Sequence, residues 1–214
     1  MVLSLATPMK PSRFILDNQN GFTLIELMLI MAIIGILSGL SSVTLHRQLS
    51  NERLLSASRQ LQSWIDEQRK IAMKESGACE ILIDANQKLL TTANSSIRLS
   101  EGNTTNTCHG QAAFELQTAV KRGEAISMKL EFKSPNPATA SNKGRLLFSF
   151  RGHSEIIHPG PSEDADTQHN QLHIRLISPG SNRERCVSIL SPLGLTRNGF
   201  ASKSDQPCQY ITTY

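Results

Sequence analysis

Phe22-Thr-Leu-Ile-Glu26-Leu-Met-Leu-Ile-Met-Ala-Ile-Ile-Gly35-Ile-Leu-Ser-Gly-Leu40-Ser-Ser-Val43-Thr-Leu45 is an apolar run that carries a single charge, Glu26. At about 24 residues and 1.5 Å per residue it would make a helix of about 36 Å, longer than the roughly 30 Å of bilayer hydrocarbon. A cleaved secretory signal is the competing reading. Such a signal has an apolar core of about 7–15 residues ending in small residues, whereas this run is longer and passes into more helix. Residues 22–45 are therefore expected to form a transmembrane helix. The chain's mean hydropathy of -0.22 averages this run with a remainder rich in Ser, Thr, Asn and Gln from His46 onward.

From His46 to about Lys74 the helix is expected to continue. Leu54, Leu61, Ile65, Gln68 and Ala72 recur at helical spacing, Leu55, Trp64 and Ile71 widen the stripe, no proline interrupts it, and Gly77 is a stop signal. Residues 46–76 thus form an amphipathic stem, and a sheet built from residues 77–214 is its natural partner. Trp64 is expected to pack beneath that sheet. After Gly77, β-like runs at 79–84, 88–92, 97–99, 113–117, 126–133, 144–151, 155–158, 171–178 and 184–190 alternate with turn residues. Residues 134–142 and 159–170 read as loops.

Cys79, Cys108, Cys186 and Cys208 all follow the apolar run and show no CxxC spacing. If the run crosses a membrane, they lie on the oxidising side, where three pairings are open. Cys79 with Cys108 and Cys186 with Cys208 is preferred, because sequence neighbours tend to be spatial neighbours. Four free thiols in a reducing cytosol is the alternative. The formal net charge of +4 is modest and its Lys and Arg are scattered, so a dedicated nucleic-acid binder is not implied.

A carboxylate in an apolar helix costs roughly 2.5–3.5 kcal/mol near the bilayer centre, so Glu26 calls for a partner. A cut between Gly21 and Phe22 would create an α-amine four residues before it, on the same helical face. Asn20-Gly21-Phe22-Thr23-Leu24-Ile25-Glu26-Leu27, followed by Ala32-Ile33-Ile34-Gly35-Ile36-Leu37, resembles the N-terminal motif of type IV prepilins and pseudopilins. That resemblance implies a leader at residues 1–21, with Met9 as an alternative start that keeps Lys10 and Arg13. It further implies cleavage after Gly21 by a prepilin peptidase, methylation of the Phe22 amine, and a role for Glu26 in aligning the next subunit. Many members carry a proline where this chain has Val43, and Gly35, Gly39 and Ser41-Ser42 are alternative soft points in the helix. The fold expected is α+β and pilin-like: a long N-terminal helix whose apolar half is transmembrane and whose amphipathic half packs on an antiparallel β-sheet-rich head.

Residues 185–197, running Arg-Cys-Val-Ser-Ile-Leu-Ser-Pro-Leu-Gly-Leu-Thr-Arg, resemble the strand and glycine turn near the C-terminus of the GspH/FimT pseudopilin group. In DNA-uptake members that turn carries two arginines after the glycine; here Leu195 replaces the first and Arg197 remains as a weak candidate for a phosphate contact. His153, His158, His169 and His173 match no tight ligand pattern, and Glu163, Asp164 and Asp166 lack the bracketing glycine and distal acid of a calcium loop. No GxSxG, GxxxxGK or GxGxxG occurs, so neither an enzyme, a metal nor a cofactor is expected. The expected function is that of a structural minor pilin or pseudopilin of a type IV pilus or type II secretion pseudopilus. It would sit single-pass in the bacterial inner membrane with its head in the periplasm, then join other pilins in a helical fibre. Its partners would be inner-membrane lipid, the prepilin peptidase and those subunits, with nucleic acid not expected. The alternatives are a pilus-tip module binding DNA or a surface, which a continuous basic stripe through Arg183, Arg185 and Arg197 would support, and an anchored extracytoplasmic enzyme.

Overall fold

The computed structural model describes residues 21–99, 102–116, 126–133, 139–158, 167–202 and 206–210. The chain divides into two compact units, residues 1–42 and 43–214. Helix α1 spans Leu24–Lys74.

In the second unit the stripe read from the sequence is the buried one, with Leu54, Leu61, Ile65 and Ala72 fully inaccessible and Gln68 nearly so. Ala57 and Ser58 share that face. Trp64 packs against the core, stands 6.3 Å from the Phe114 ring and donates from Nε1 to the Ala112 carbonyl at 3.0 Å. The helix ends in a Schellman-type turn: the Gly77 amide donates to the Ala72 carbonyl at 3.0 Å and the Ser76 amide to Met73 at 3.4 Å. The left-handed residue of this turn is Ser76, at φ 52°, and not Gly77. Gly77 is required for a different reason, since a Cβ there would stand 2.1 Å from Thr107 Cγ2.

Strands β1 (Cys79–Asp84), β2 (Leu89–Thr92), β3 (Ser96–Leu99), β4 (Gly102–Thr105), β5 (Phe114–Glu115), β6 (Ser127–Lys133), β7 (Thr139–Ser141), β8 (Lys143–Phe148), β9 (Ser154–His158), β10 (Thr167–His169), β11 (Gln171–Ile177), β12 (Glu184–Leu190), β13 (Leu195–Ala201) and β14 (Gln209–Tyr210) follow. They form one sheet in the order β10-β9-β8-β1-β2-β5, a second in the order β14-β13-β12-β11-β6-β7, and the separate hairpin β3-β4. The pairings are antiparallel.

The core joins three surfaces. Ile81, Ile83, Leu146, Phe148 and Ile156 from the first sheet meet Leu130, Phe132, Leu172, Ile174, Val187 and Ile189 from the second, and the buried stripe of α1 completes the cluster. Alternation explains which residues enter it: Leu172, Ile174 and Leu176 face inward while Gln171, His173 and Arg175 take the opposite face.

Several sequence expectations change here. The stretches 134–142 and 159–170, read as loops, contribute β7 and β10, each a three-residue strand. Their own sequences carry little strand signal, and pairing to β6 and β9 recruits them. β4 and β14 likewise arise from pairing, to β3 and β13. β13 escaped the pattern because Thr196 and Asn198, two of its inward side chains, are polar. Thr196 Oγ1 donates to Asp66 Oδ1 at 2.7 Å and accepts from Gln62 at 3.3 Å, and Asn198 Nδ2 donates to Ser58 Oγ at 3.1 Å, so hydrogen bonds to α1 replace apolar packing.

Both preferred disulfides are present, Cys79–Cys108 and Cys186–Cys208. The second ties the C-terminal segment to β12. Two further contacts fasten that segment: Arg175 Nη2 donates to the Gln206 carbonyl at 2.8 Å, and the Tyr210 hydroxyl and His173 Nδ1 are hydrogen-bonded at 2.7 Å.

Burial, with Lys133 and Arg175 nearby, lowers the His173 pKa to about 4 from 6.5. A folded-state pKa below the unfolded one means that protons bind preferentially to the unfolded chain. The resulting stability is full above about pH 6.5 and is lost as pH falls toward about 4. We expect this histidine to contribute on the order of 2–3 kcal/mol across that window. His173→Gln should flatten the slope in urea unfolding measured between those pH values; an unchanged slope would show that other groups carry it.

Candidate functional site: the N-terminal motif and the exposed face of the C-terminal turn

Thr23 sits immediately before α1, and its local geometry explains where the helix starts. The Thr23 carbonyl accepts from the amides of Glu26 at 3.1 Å and Leu27 at 3.2 Å, and its Oγ1 accepts from Glu26 N at 3.4 Å. Thr23 is therefore the N-cap and Glu26 the third helical residue, the Thr-x-x-Glu pattern of a capping box. A carboxylate in the first turn also faces the positive end of the helix dipole. This helix-start signal is legible in the consecutive residues Thr23 to Glu26.

Gly21 and Phe22 precede the helix as exposed coil, with nothing within 4 Å of a Cβ built at Gly21. Beyond it the large side chains are exposed on every face, from Phe22 at 72% and Ile25 at 77% through Met31 at 64% to Ile36 at 67%. A helix apolar all round is stable only inside protein or lipid, and each of these side chains gains roughly 1.5–3 kcal/mol on full burial. Ser38 fits such surroundings, since its Oγ donates to the Ile34 carbonyl at 2.7 Å and spends its proton inside the helix.

Among the described residues no helix is long and apolar enough to cross a membrane. In the apolar run the helical residues with described side chains go from Leu24 to Ser38, about 22 Å of helix and short of a full span, while the side chains of residues 39–44, Val43 included, lie outside the described ones.

Residues 16–42 match the family model of the prokaryotic N-terminal methylation motif. The N-terminus is a type IV prepilin-like signal. Gly21, Phe22 and Glu26 all fall within the match. Nothing matches the chain among curated proteins or among solved structures.

The C-terminal turn is held by α1. Arg69 donates from Nε to the Gly152 carbonyl at 2.9 Å and from Nη2 to the Leu193 carbonyl at 3.2 Å. Gly194, at φ 65°, would bring a Cβ to within 2.5 Å of the Gly152 oxygen, so that position admits glycine alone. Leu195 and Arg197 then point outward on β13, both exposed. Arg185 pairs with Phe200, whereas Arg197 pairs with Ser188, one residue out of phase. Arg185 and Arg197 therefore occupy opposite faces of the sheet, and the continuous stripe through Arg183, Arg185 and Arg197 does not form.

His158 and His169 lie with ring centroids 6.1 Å apart, both against Phe132, while His173 joins Tyr210 instead. Burial and the neighbouring His158 lower the His169 pKa. Among the described residues no group of three or more His, Cys, Asp or Glu could hold a metal ion. Glu163, Asp164 and Asp166 lie outside the described residues, as do residues 1–20 of the leader expected at 1–21.

Proposed function

We propose that this chain is a structural minor pilin or pseudopilin with no catalytic role, serving a type IV pilus or a type II secretion pseudopilus. The observation that carries the reading is the methylation motif at residues 16–42 coinciding with a capped helix start that exposes apolar side chains on every face. In this reading the whole run to Leu45 anchors the chain in the bacterial inner membrane with the head in the periplasm. Prepilin peptidase cuts after Gly21, the Phe22 amine is methylated, and the same helix then exchanges lipid for the helices of neighbouring pilins. The strand-turn-strand at residues 184–201 supports placement near the GspH/FimT group.

The deciding experiment is intact mass and N-terminal sequencing of the chain from a host with and without its prepilin peptidase. A mature chain starting at methylated Phe22, formed only when the enzyme is present, is expected. An uncut chain, or one cut elsewhere, would remove the pilin reading.

Glu26→Val provides a second test. Thr23 still caps the helix and the variant is more apolar, so insertion and cleavage should persist. A buried acid with a partner on the adjacent subunit rewards one axial register, so incorporation into sheared fibres should fall more than about ten-fold. Undiminished incorporation would remove Glu26 from any role in setting the register.

A further inference from the structure

The end of the head where α1 enters it carries a rim of arginines. Ser50 and Ser178 share a hydrogen bond of 3.1 Å, and Ser181 Oγ bonds Asn51 Oδ1, so the turn at 178–183 is pinned to α1 just after the apolar run. Arg183 leaves that turn exposed and lies over the Phe200 ring at 5.7 Å. Arg185 follows on β12, half-buried. Burial and the like charges of Arg183 and Arg59 lower its pKa against the opposing pull of Glu52. Arg47 and Arg53 are exposed on the helix, one before and one after Ser50 and Asn51 in sequence. Leu45 and Leu49, nearby on the helix, have 57% and 46% of their surfaces open.

Height along the helix decides which of these cations matter. At 1.5 Å per residue, Arg47 lies about 3 Å past Leu45, Asn51 with the attached turn about 9 Å, and Arg59 about 21 Å. The headgroup layer is roughly 6 Å deep on each side of the hydrocarbon, and surface charge is felt over a Debye length of about 8 Å beyond it. Arg47, Arg53 and Arg183 fall inside that range and Arg59 outside it. Exposed leucines and long cationic side chains within two turns of one helix are the composition of a surface that sits at a lipid boundary with its charges reaching the phosphates.

We propose that this arginine rim is a docking surface for anionic phospholipid headgroups, which holds the head against the membrane until the subunit enters the fibre. The proposal rests on the reading of residues 22–45 as a membrane anchor and adds a second, electrostatic attachment to it. Duplex DNA offers the same phosphate chemistry. The split of Arg185 from Arg197 removes the extended track that DNA would follow, and the position beside the apolar run favours lipid.

The test uses the full chain in lipid nanodiscs, one set zwitterionic and one about one-third anionic phosphatidylglycerol. Co-elution of chain and disc is read first, and its failure overturns the anchor together with this proposal. With the chain inserted, amide exchange across 178–186 should be roughly five-fold or more slower in anionic discs, scaling by about that factor per guanidinium engaged. The slowing should vanish near 0.5 M salt and in the Arg47→Glu, Arg183→Glu double variant, both sites being exposed. Equal exchange in the two discs overturns the proposal while leaving the anchor standing. Slowing produced in zwitterionic discs by duplex DNA, without an effect of anionic lipid, would assign the rim to nucleic acid. Slowing produced there by inorganic phosphate to the same degree would assign it to free anions.

Discussion

Arg175→Met should cost about 3–5 kcal/mol of folding stability, because it removes a buried cation from between two acids, Glu184 buried with it and Glu131 about a quarter exposed. The Arg175 side chain is 5% exposed; its Nε stands 2.7 Å from Glu131 and its Nη1 3.2 Å from Glu184, itself 10% exposed. Nη2 also serves the Gln206 carbonyl, so the guanidinium joins β6, β11, β12 and the C-terminal segment. The methionine would fill the volume but leave two carboxylates facing each other and one carbonyl unpaired. In urea unfolding the midpoint should fall accordingly, and the melting temperature by roughly 10 °C or more. Adding Glu131→Gln and Glu184→Gln to that variant should recover part of the loss, since the penalty is chiefly that of stranded charge. A single-variant loss below about 1 kcal/mol would mean that water reaches the site and screens it.

Asn106 should be nearly as sensitive. The residue is 3% exposed, and its amide meets four backbone groups at once. Nδ2 donates to the carbonyls of Ala93 at 2.9 Å and Asn94 at 3.0 Å, while Oδ1 accepts from the amides of Glu80 and Cys108, each at 3.3 Å. It thereby closes the space between β1, the turn after β2 and the Cys79–Cys108 disulfide. Orphaning a buried backbone group costs about 1–3 kcal/mol, so Asn106→Ala should lose about 3 kcal/mol in chemical unfolding. Asn106→Asp has the same shape but replaces the donor with an acceptor aimed at two carbonyls, and should lose more at neutral pH than the alanine. If aspartate were the milder change, the amide donor would not be what the site requires.

These two residues mark where sequence reading stops. Neither Arg175 nor Asn106 belongs to a motif, and each acquires its importance from partners distant in the chain: Glu131 lies 44 positions before Arg175, and Glu80 lies 26 before Asn106. The basic rim shows the same limit. Arg47 and Arg183 have unrelated sequence contexts, and only the bonds from Ser50 and Asn51 to the 178–183 turn bring that turn to the same end of α1 as Arg47.

By itself the sequence determined what depends on local order. The apolar run, its Thr-x-x-Glu start, the motif around Gly21 and the 3.6-residue stripe of the stem are all written in consecutive residues, and helix hydrogen bonds close within four of them. Strands β1 and β12 were legible end to end because each is a short run rich in Ile, Val and Leu bounded by turn residues. The cysteine pairing followed because each pair is separated by fewer than about thirty residues, a short loop to close. The tertiary structure alone decided the division into two sheets, the recruitment of β4, β7, β10 and β14, and the polar attachment of β13 to α1. It also decided which arginines share a face. Strand pairing draws its hydrogen bonds from another segment, so a strand's partner, register and exposed face are properties of two sequences that only the folded chain brings together.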